Sequence, residues 1–171
     1  KGTISPEELY DYVSVLDGHT LVANINYVQP SEKNDPAILA VLKKKGKDLL
    51  AHEVENVLRK IKGGSAETNE VLLELATAGV KVDLDKFEGR AFDEALRLRL
   101  EREPEYLNER ENVKYISKIS DDEFRKSLAD KYRGLMAEVG IIADQEALDK
   151  LLQDEDPKVR KSAIKGMARQ P

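Results

Sequence analysis

The sequence predicts an all-α fold: stacked antiparallel helical hairpins in an α-solenoid-like arrangement of eight or nine helices. Three observations carry this. Apolar residues recur at steps of three and four through most of the chain, the rhythm of helices with one buried face. Capping signals open these stretches and Gly closes them. The connections between them are short, as in antiparallel helix pairs.

In chain order, Ser5-Pro6-Glu7-Glu8 is a capping box with Pro at the first helical position. It predicts a helix to about Leu16, closed by Asp17-Gly18, with Leu9, Tyr12, Val13 and Leu16 on one face. Leu21 to Val28 fits either a half-buried strand or a helix. No second strand is evident to pair with it, and a lone strand is unstable, so helix is preferred. The loop Gln29 to Asp35 is the one candidate boundary, at 29–35, in an expected single domain over 1–171. Asp35-Pro36 starts a helix from Ala37 to Lys45, stopped at Gly46. Asp48 starts the next, with Leu49, Leu50, Val54, Val57, Leu58 and Ile61 as its stripe and Gly63-Gly64 as its end. Ser65 or Thr68 caps a helix through Ala78, stopped at Gly79. After an extended link, a charged helix is expected from Leu84 to Arg102, then one from Pro104 to about Lys118. Ser120-Asp121-Asp122-Glu123 is a second capping box, opening a helix to Val139. Asp144 caps the first helix of a terminal hairpin, with stripe Leu148, Leu151 and Leu152. Asp156 and Pro157 open the last helix, with stripe Val159, Ala163, Ile164 and Met167.

A chain of 171 residues is long enough for a sizeable core. Charged residues at 36% against 40% apolar suit amphipathic helices with wet outer faces. The net charge of −5 argues against bulk attraction to nucleic acid or to an anionic membrane. With no Cys there is no disulfide framework, thiolate nucleophile or thiolate metal site. That absence fits either redox compartment, with the cytoplasm favoured. No apolar run approaches the ~20 residues that span a bilayer. A start at Lys1 points to a processed or trimmed N-terminus.

Two stretches carry a likeness to helical repeats. Ile38-Leu39, Leu42 and Gly46 recur 33 residues later as Val71-Leu72, Leu75 and Gly79, followed by Val82-Asp83, Asp85, Gly89-Arg90 and Ala95. Residues 71–95 weakly resemble an ankyrin repeat. The usual Thr-Pro-Leu-His is absent, with Ala91-Phe92-Asp93 near that place. The C-terminal hairpin, with Asp156-Pro157, Val159-Arg160 and Ala163, resembles a HEAT repeat over about 25 residues. That resemblance implies that Val159 and Ala163 pack between layers, and that Arg160 bonds an Asp in a neighbouring turn. Both resemblances imply stacked helix pairs that offer a surface to a macromolecular partner.

Motifs for chemistry are sparse. His52-Glu53-Val54-Glu55-Asn56 has half of a zinc-protease helix but lacks the second His, so His52 reads as a surface or interfacial residue. His19 follows a Gly in a turn, and the turn explains it. Asp83-Leu84-Asp85-Lys86-Phe87-Glu88-Gly89 departs from a calcium loop in its Gly position and at Phe87, so a helix cap suffices for Asp83 or Asp85. Glu101, Glu103, Glu105, Glu109 and Glu111 alternate with Arg97, Arg99, Arg102 and Arg110, the pattern of an ion-paired solvated face rather than an acid–base pair. Gly63-Gly64-Ser65 lacks the Lys of a phosphate loop.

Two basic clusters remain. Lys43, Lys44, Lys45 and Lys47 crowd a helix C-terminus, where the helix dipole favours them. Lys158, Lys161, Lys165 and Arg169 form one stripe on the last helix and are the candidate partner-binding residues. The function expected is therefore a non-enzymatic interaction or scaffold module with no cofactor and no metal, whose partner is another protein. Nucleic-acid binding through the basic stripe is the first alternative, and a hydrolase using a carboxylate pair the second.

Overall fold

The structure is a computed structural model that describes residues 6–25, 27–28, 30–62 and 66–169. It is all-helical, with no strand among the described residues. Its α-helices are α1 (Pro6–Val13), α2 (Gly18–Ile25), α3 (Asp35–Lys45), α4 (Ala51–Leu58), α5 (Ala66–Thr77), α6 (Gly89–Arg102), α7 (Asp122–Lys131), α8 (Arg133–Glu138), α9 (Gln145–Leu151) and α10 (Pro157–Ala168). Short 3-10 turns link several of them. The chain divides into two compact units, Lys1–Ala91 and Phe92–Pro171, with the division falling inside α6. The loop at 29–35 lies within the first. Ser5 and the Gly63-Gly64-Ser65 stretch lie outside the described residues.

The first unit gathers around α3. Ala37, Ile38, Leu39, Val41 and Leu42 are all buried, and the helix packs against α1, α2, α4 and α5. Leu21 to Ile25 is helical, as preferred, because Leu21, Val22 and Ile25 share one buried face. Asp17 opens α2 instead of closing α1: its carboxylate accepts the Thr20 N–H at 2.8 Å and the Thr20 hydroxyl at 3.0 Å. Gly18 sits in a tight place, since a Cβ there would lie 2.9 Å from Leu49 Cδ2 and 3.3 Å from the Lys45 carbonyl oxygen.

The expected helix from Asp48 is shorter than its apolar pattern. Leu50 sits in extended backbone just before α4, and its N–H donates to the Glu53 carboxylate at 2.9 Å. The helix therefore begins at Ala51, and Leu50 is 57% exposed rather than part of the stripe. At the end of α5, Gly79 takes φ +102° while the Val80 N–H reaches the Leu75 carbonyl at 3.0 Å, a Schellman close. The expected helix from Leu84 begins only at Gly89. Before it, Asp83 caps a 3-10 turn by accepting the Asp85 N–H.

The second unit departs from expectation in two places. The expected helix from Pro104 to Lys118 is a pair of 3-10 turns, Tyr106–Asn108 and Val113–Lys118. Buried Val113, Ile116 and Ile119 fall at steps of three, which a 3-10 turn aligns on one face. The Asn112 side chain donates to the Tyr106 carbonyl at 3.0 Å and pins the intervening chain. The expected single helix opened by Ser120-Asp121-Asp122-Glu123 and running to Val139 is interrupted at Tyr132, whose backbone leaves the helical region with φ −106° and ψ 18°. Asp121, not Ser120, is its cap, accepting the Phe124 N–H at 3.0 Å. The entry to α7 is held by Asp93, only 3% exposed, whose carboxylate accepts the N–H groups of Ser120 at 2.8 Å and Asp121 at 2.9 Å.

The terminal hairpin closes on α8. Ala137, Leu148, Leu151, Val159 and Ala163 form its core, with Ile142, Leu152 and Met167 packed at the edge. Ile164 is not part of this stripe, because it lies one position beyond Ala163 on the outer side and is 59% exposed. Helices α8 and α10 meet at small residues. A Cβ on Gly134 would touch the Val159 backbone at 3.4 Å, and one on Gly166 would overlap the Ala137 carbonyl oxygen. Gly166→Ala gains helix propensity but must push two backbones apart. Overpacking dominates, and urea unfolding of the whole chain should show a loss of about 2 kcal/mol. Unchanged or raised stability would refute the close approach.

Candidate functional site

The most elaborated surface is the outer face of the terminal hairpin. It is built on a turn that polar bonds specify almost atom by atom. Asp144 opens α9 by accepting the Ala147 N–H at 3.0 Å, and Asp156 opens α10 by accepting the Lys158 N–H at 2.9 Å. Between the helices, Arg133 of α8 grips Asp154 through two parallel bonds, Nε to Oδ2 at 2.6 Å and Nη2 to Oδ1 at 2.8 Å. Asp154 Oδ1 also accepts the Asp156 N–H at 3.0 Å. Arg160 does not reach an Asp carboxylate as the HEAT resemblance implied. Its guanidinium donates to the carbonyls of Asp154 at 2.7 Å and Glu155 at 3.2 Å, while the Asp154 carboxylate is held by Arg133. The bond from Arg133 and the Asp156 N–H hold the Asp154 carboxyl down at about 2, and the same pairing raises the Arg133 guanidinium.

The four candidate partner-binding residues are all on the surface but differ in engagement. Lys165 Nζ lies 3.4 Å from Glu138, which also takes Arg110. Lys158 and Lys161 are exposed, and among the described residues no ion pair engages either. Arg169 follows the end of α10 near Gly140. Exposed Ile164 lies beside Lys161 and Lys165 on the same arc. Lys158 also lines a shallow cavity of about 220 Å³ between α8 and α10, whose walls include Lys131, Tyr132, Leu135 and Ser162. The arrangement sets positive charge outside any ion pair among the described residues beside exposed carbon. Lys43, Lys44, Lys45 and Lys47 lie in the first unit, around the end of α3 as expected.

His19 is more than a turn residue. It lies in α2, and Nδ1 is 2.8 Å from both carboxylate oxygens of Glu53. Glu53 is thereby shared between the α4 entry and α2. The hydrogen bond to Glu53 raises the His19 pKa, and the Leu50 N–H and His19 together lower that of Glu53. His52 is exposed beside it. No group of three metal-ligating side chains occurs among the described residues. Of the charged face around Pro104, Arg99 pairs with Glu103 at 3.6 Å, while Glu101, Glu105, Glu109 and Glu111 are exposed. Arg97 stacks over Phe124 at 4.2 Å and lies 3.9 Å from Asp121.

The sequence reasoning missed Asp93, Arg133 and Glu53. Asp93 carried a signal, a carboxylate on the apolar face between Phe92 and Leu96. For the other two the partner lies 21 and 34 residues away, beyond any local pattern. Comparison with known proteins finds no matching family model, and no significant match among curated proteins or solved structures.

Two titrations follow from this geometry. A carboxyl held low stabilises the fold above its unfolded value near 3.9, and that contribution disappears as pH falls towards 2. Asp154→Asn should therefore lower the urea midpoint at neutral pH, with the gap to the native chain closing between about pH 4 and 2. A gap that stays constant would dismiss the ion pair. A raised His19 favours the fold below its unfolded value near 6.5, and loses that effect as pH climbs through the higher folded value. Proton NMR should place the His19 midpoint above 6.5 in the native chain and return it towards 6.5 in Glu53→Gln. A His19 midpoint that is the same in both chains would discard the pairing.

Proposed function

We propose that this chain is a non-enzymatic interaction module that holds an acidic segment of a protein partner against the outer face of α10. One observation carries the reading: Lys158 and Lys161 stand exposed and outside any ion pair among the described residues, beside exposed Ile164. Partially apolar, single-sign surface of this kind suits a partner that is acidic and amphipathic. The HEAT-like reading of the hairpin belongs to the same proposal. It is supported by the Asp-Pro turn with its two capped helices and by the burial of Val159 and Ala163. In a stacked-hairpin scaffold the frame is rigid and the exposed arcs do the recognising.

The test is the binding of a fluorescent Glu-rich amphipathic peptide, followed by anisotropy at low and at moderate salt. Lys158→Glu with Lys161→Glu should weaken binding about tenfold or more, and added salt should weaken native binding. Peptide binding unaffected by the double reversal would refute the proposal. A basic surface that prefers single-stranded RNA over the peptide, with the same two lysines required, would replace it with nucleic-acid recognition.

A further inference from the structure

The first unit carries a groove with the opposite character. It runs between α3 and α5 beside α1, has a volume of about 280 Å³, and is floored by Leu39, Ala40 and Val71. Its α5 wall presents Glu67, Glu70 and Glu74, and Tyr10 at its mouth is 48% exposed. The three glutamates are spaced by three and then four residues. Lys158, Lys161 and Lys165 on α10 have that same spacing. At 1.5 Å of rise per residue, each row spans about 10.5 Å, so two parallel helices bring all three pairs into register. Lys43 on the α3 wall opposes an occupant that is basic all round. α10 is not: Ile164 and Ala168 flank its lysine row and can face the apolar floor and Tyr10.

We infer that a second copy of this chain is the occupant, with α10 of one molecule docking along the α3–α5 groove of the next. This rests on the reading of α10 as a binding face and names one partner for it. The contact is heterologous, joining two different patches, and such contacts either close into a ring or run on as an open chain. Lys165 takes part while still near Glu138, since over half of its side chain, 55%, stays exposed. One helix face against one groove makes a weak contact, carried by charge and therefore sensitive to salt.

Sedimentation equilibrium of the whole chain tests this, with circular dichroism as the check that each variant folds. At about 0.05 M salt the average mass should rise with concentration, and at about 0.5 M it should return to the monomer. Glu70→Lys with Glu74→Lys, and separately Lys158→Glu with Lys161→Glu, should each abolish the rise. An equimolar mixture of the two variants should restore it, because each groove then meets an α10 of opposite sign. A native chain that is monomeric at every concentration in low salt overturns the inference, as does a mixture that stays monomeric. If the Glu-rich peptide still binds α10 while the native chain stays monomeric, only self-association falls. If neither peptide binding nor self-association is seen, the reading of α10 falls with it.

Discussion

The contact of α8 with α10 is set by backbone. Most helix pairs are held apart by the side chains between them, at separations of about 8–10 Å. Here Gly134 and Gly166 remove those spacers, and Ala137 and Ala163 fill what remains. The consequence is directional. With Val159, Ala163 and Gly166 committed to α8 and α9, the arc bearing Lys158, Lys161 and Ile164 has to face solvent. The Arg133–Asp154 bonds act on the same arrangement from the other side. They fix the turn before α10 to α8, so the helix cannot rotate without breaking a bidentate ion pair. Surface chemistry on α10 is thus a product of the packing beneath it.

A similar division of labour runs through the polar bonds. Asp93, Glu53 and Asp154 each accept backbone N–H groups at the entry of a helix or turn, and the last two also pair with a side chain from a distant helix, His19 and Arg133. A carboxylate suits this because it accepts several bonds at once, and those to charged groups are the stronger ones. Each of these residues ties a local backbone choice to a tertiary contact. Where the helix starts and what it packs against are then decided together.

That coupling explains which features the sequence made legible. Helix starts set by a side chain acting within three residues were visible: Asp144 and Asp156 cap where their spacing placed them, and Gly79 and Gly140 close with positive φ. Helix type and extent were less visible where tertiary bonds intervene. Leu50 has an apolar side chain at the right step, yet the Glu53 carboxylate draws its N–H out of the helix. The stretch 104–118 has helical residues, but burial at steps of three and the Asn112–Tyr106 bond tighten it into 3-10 turns. Ile164 is apolar and adjacent to the stripe, and a side chain one position out lies about 100° away from it. Among the candidate site residues, the basic stripe was legible as a spacing, but the capture of Lys165 by Glu138 was not, because that pair is 27 residues apart.

Charge distribution adds a constraint that composition alone conceals. A net charge of −5 predicts mild mutual repulsion between copies at long range. Within a Debye length of about 8–10 Å, local sign matters more than the total. The glutamate row of α5 and the lysine row of α10 are each about 10.5 Å long, so at contact each is sensed as a patch of one sign. A two-fold symmetric dimer through either patch would set like charges face to face. Pairing unlike patches avoids this. In the proposed assembly the contact would be regulated by whatever covers one patch: an acidic segment bound on α10 would remove the surface that the α3–α5 groove of a neighbour uses. The two proposed occupants would compete because both use Lys158 and Lys161, without any change in the fold.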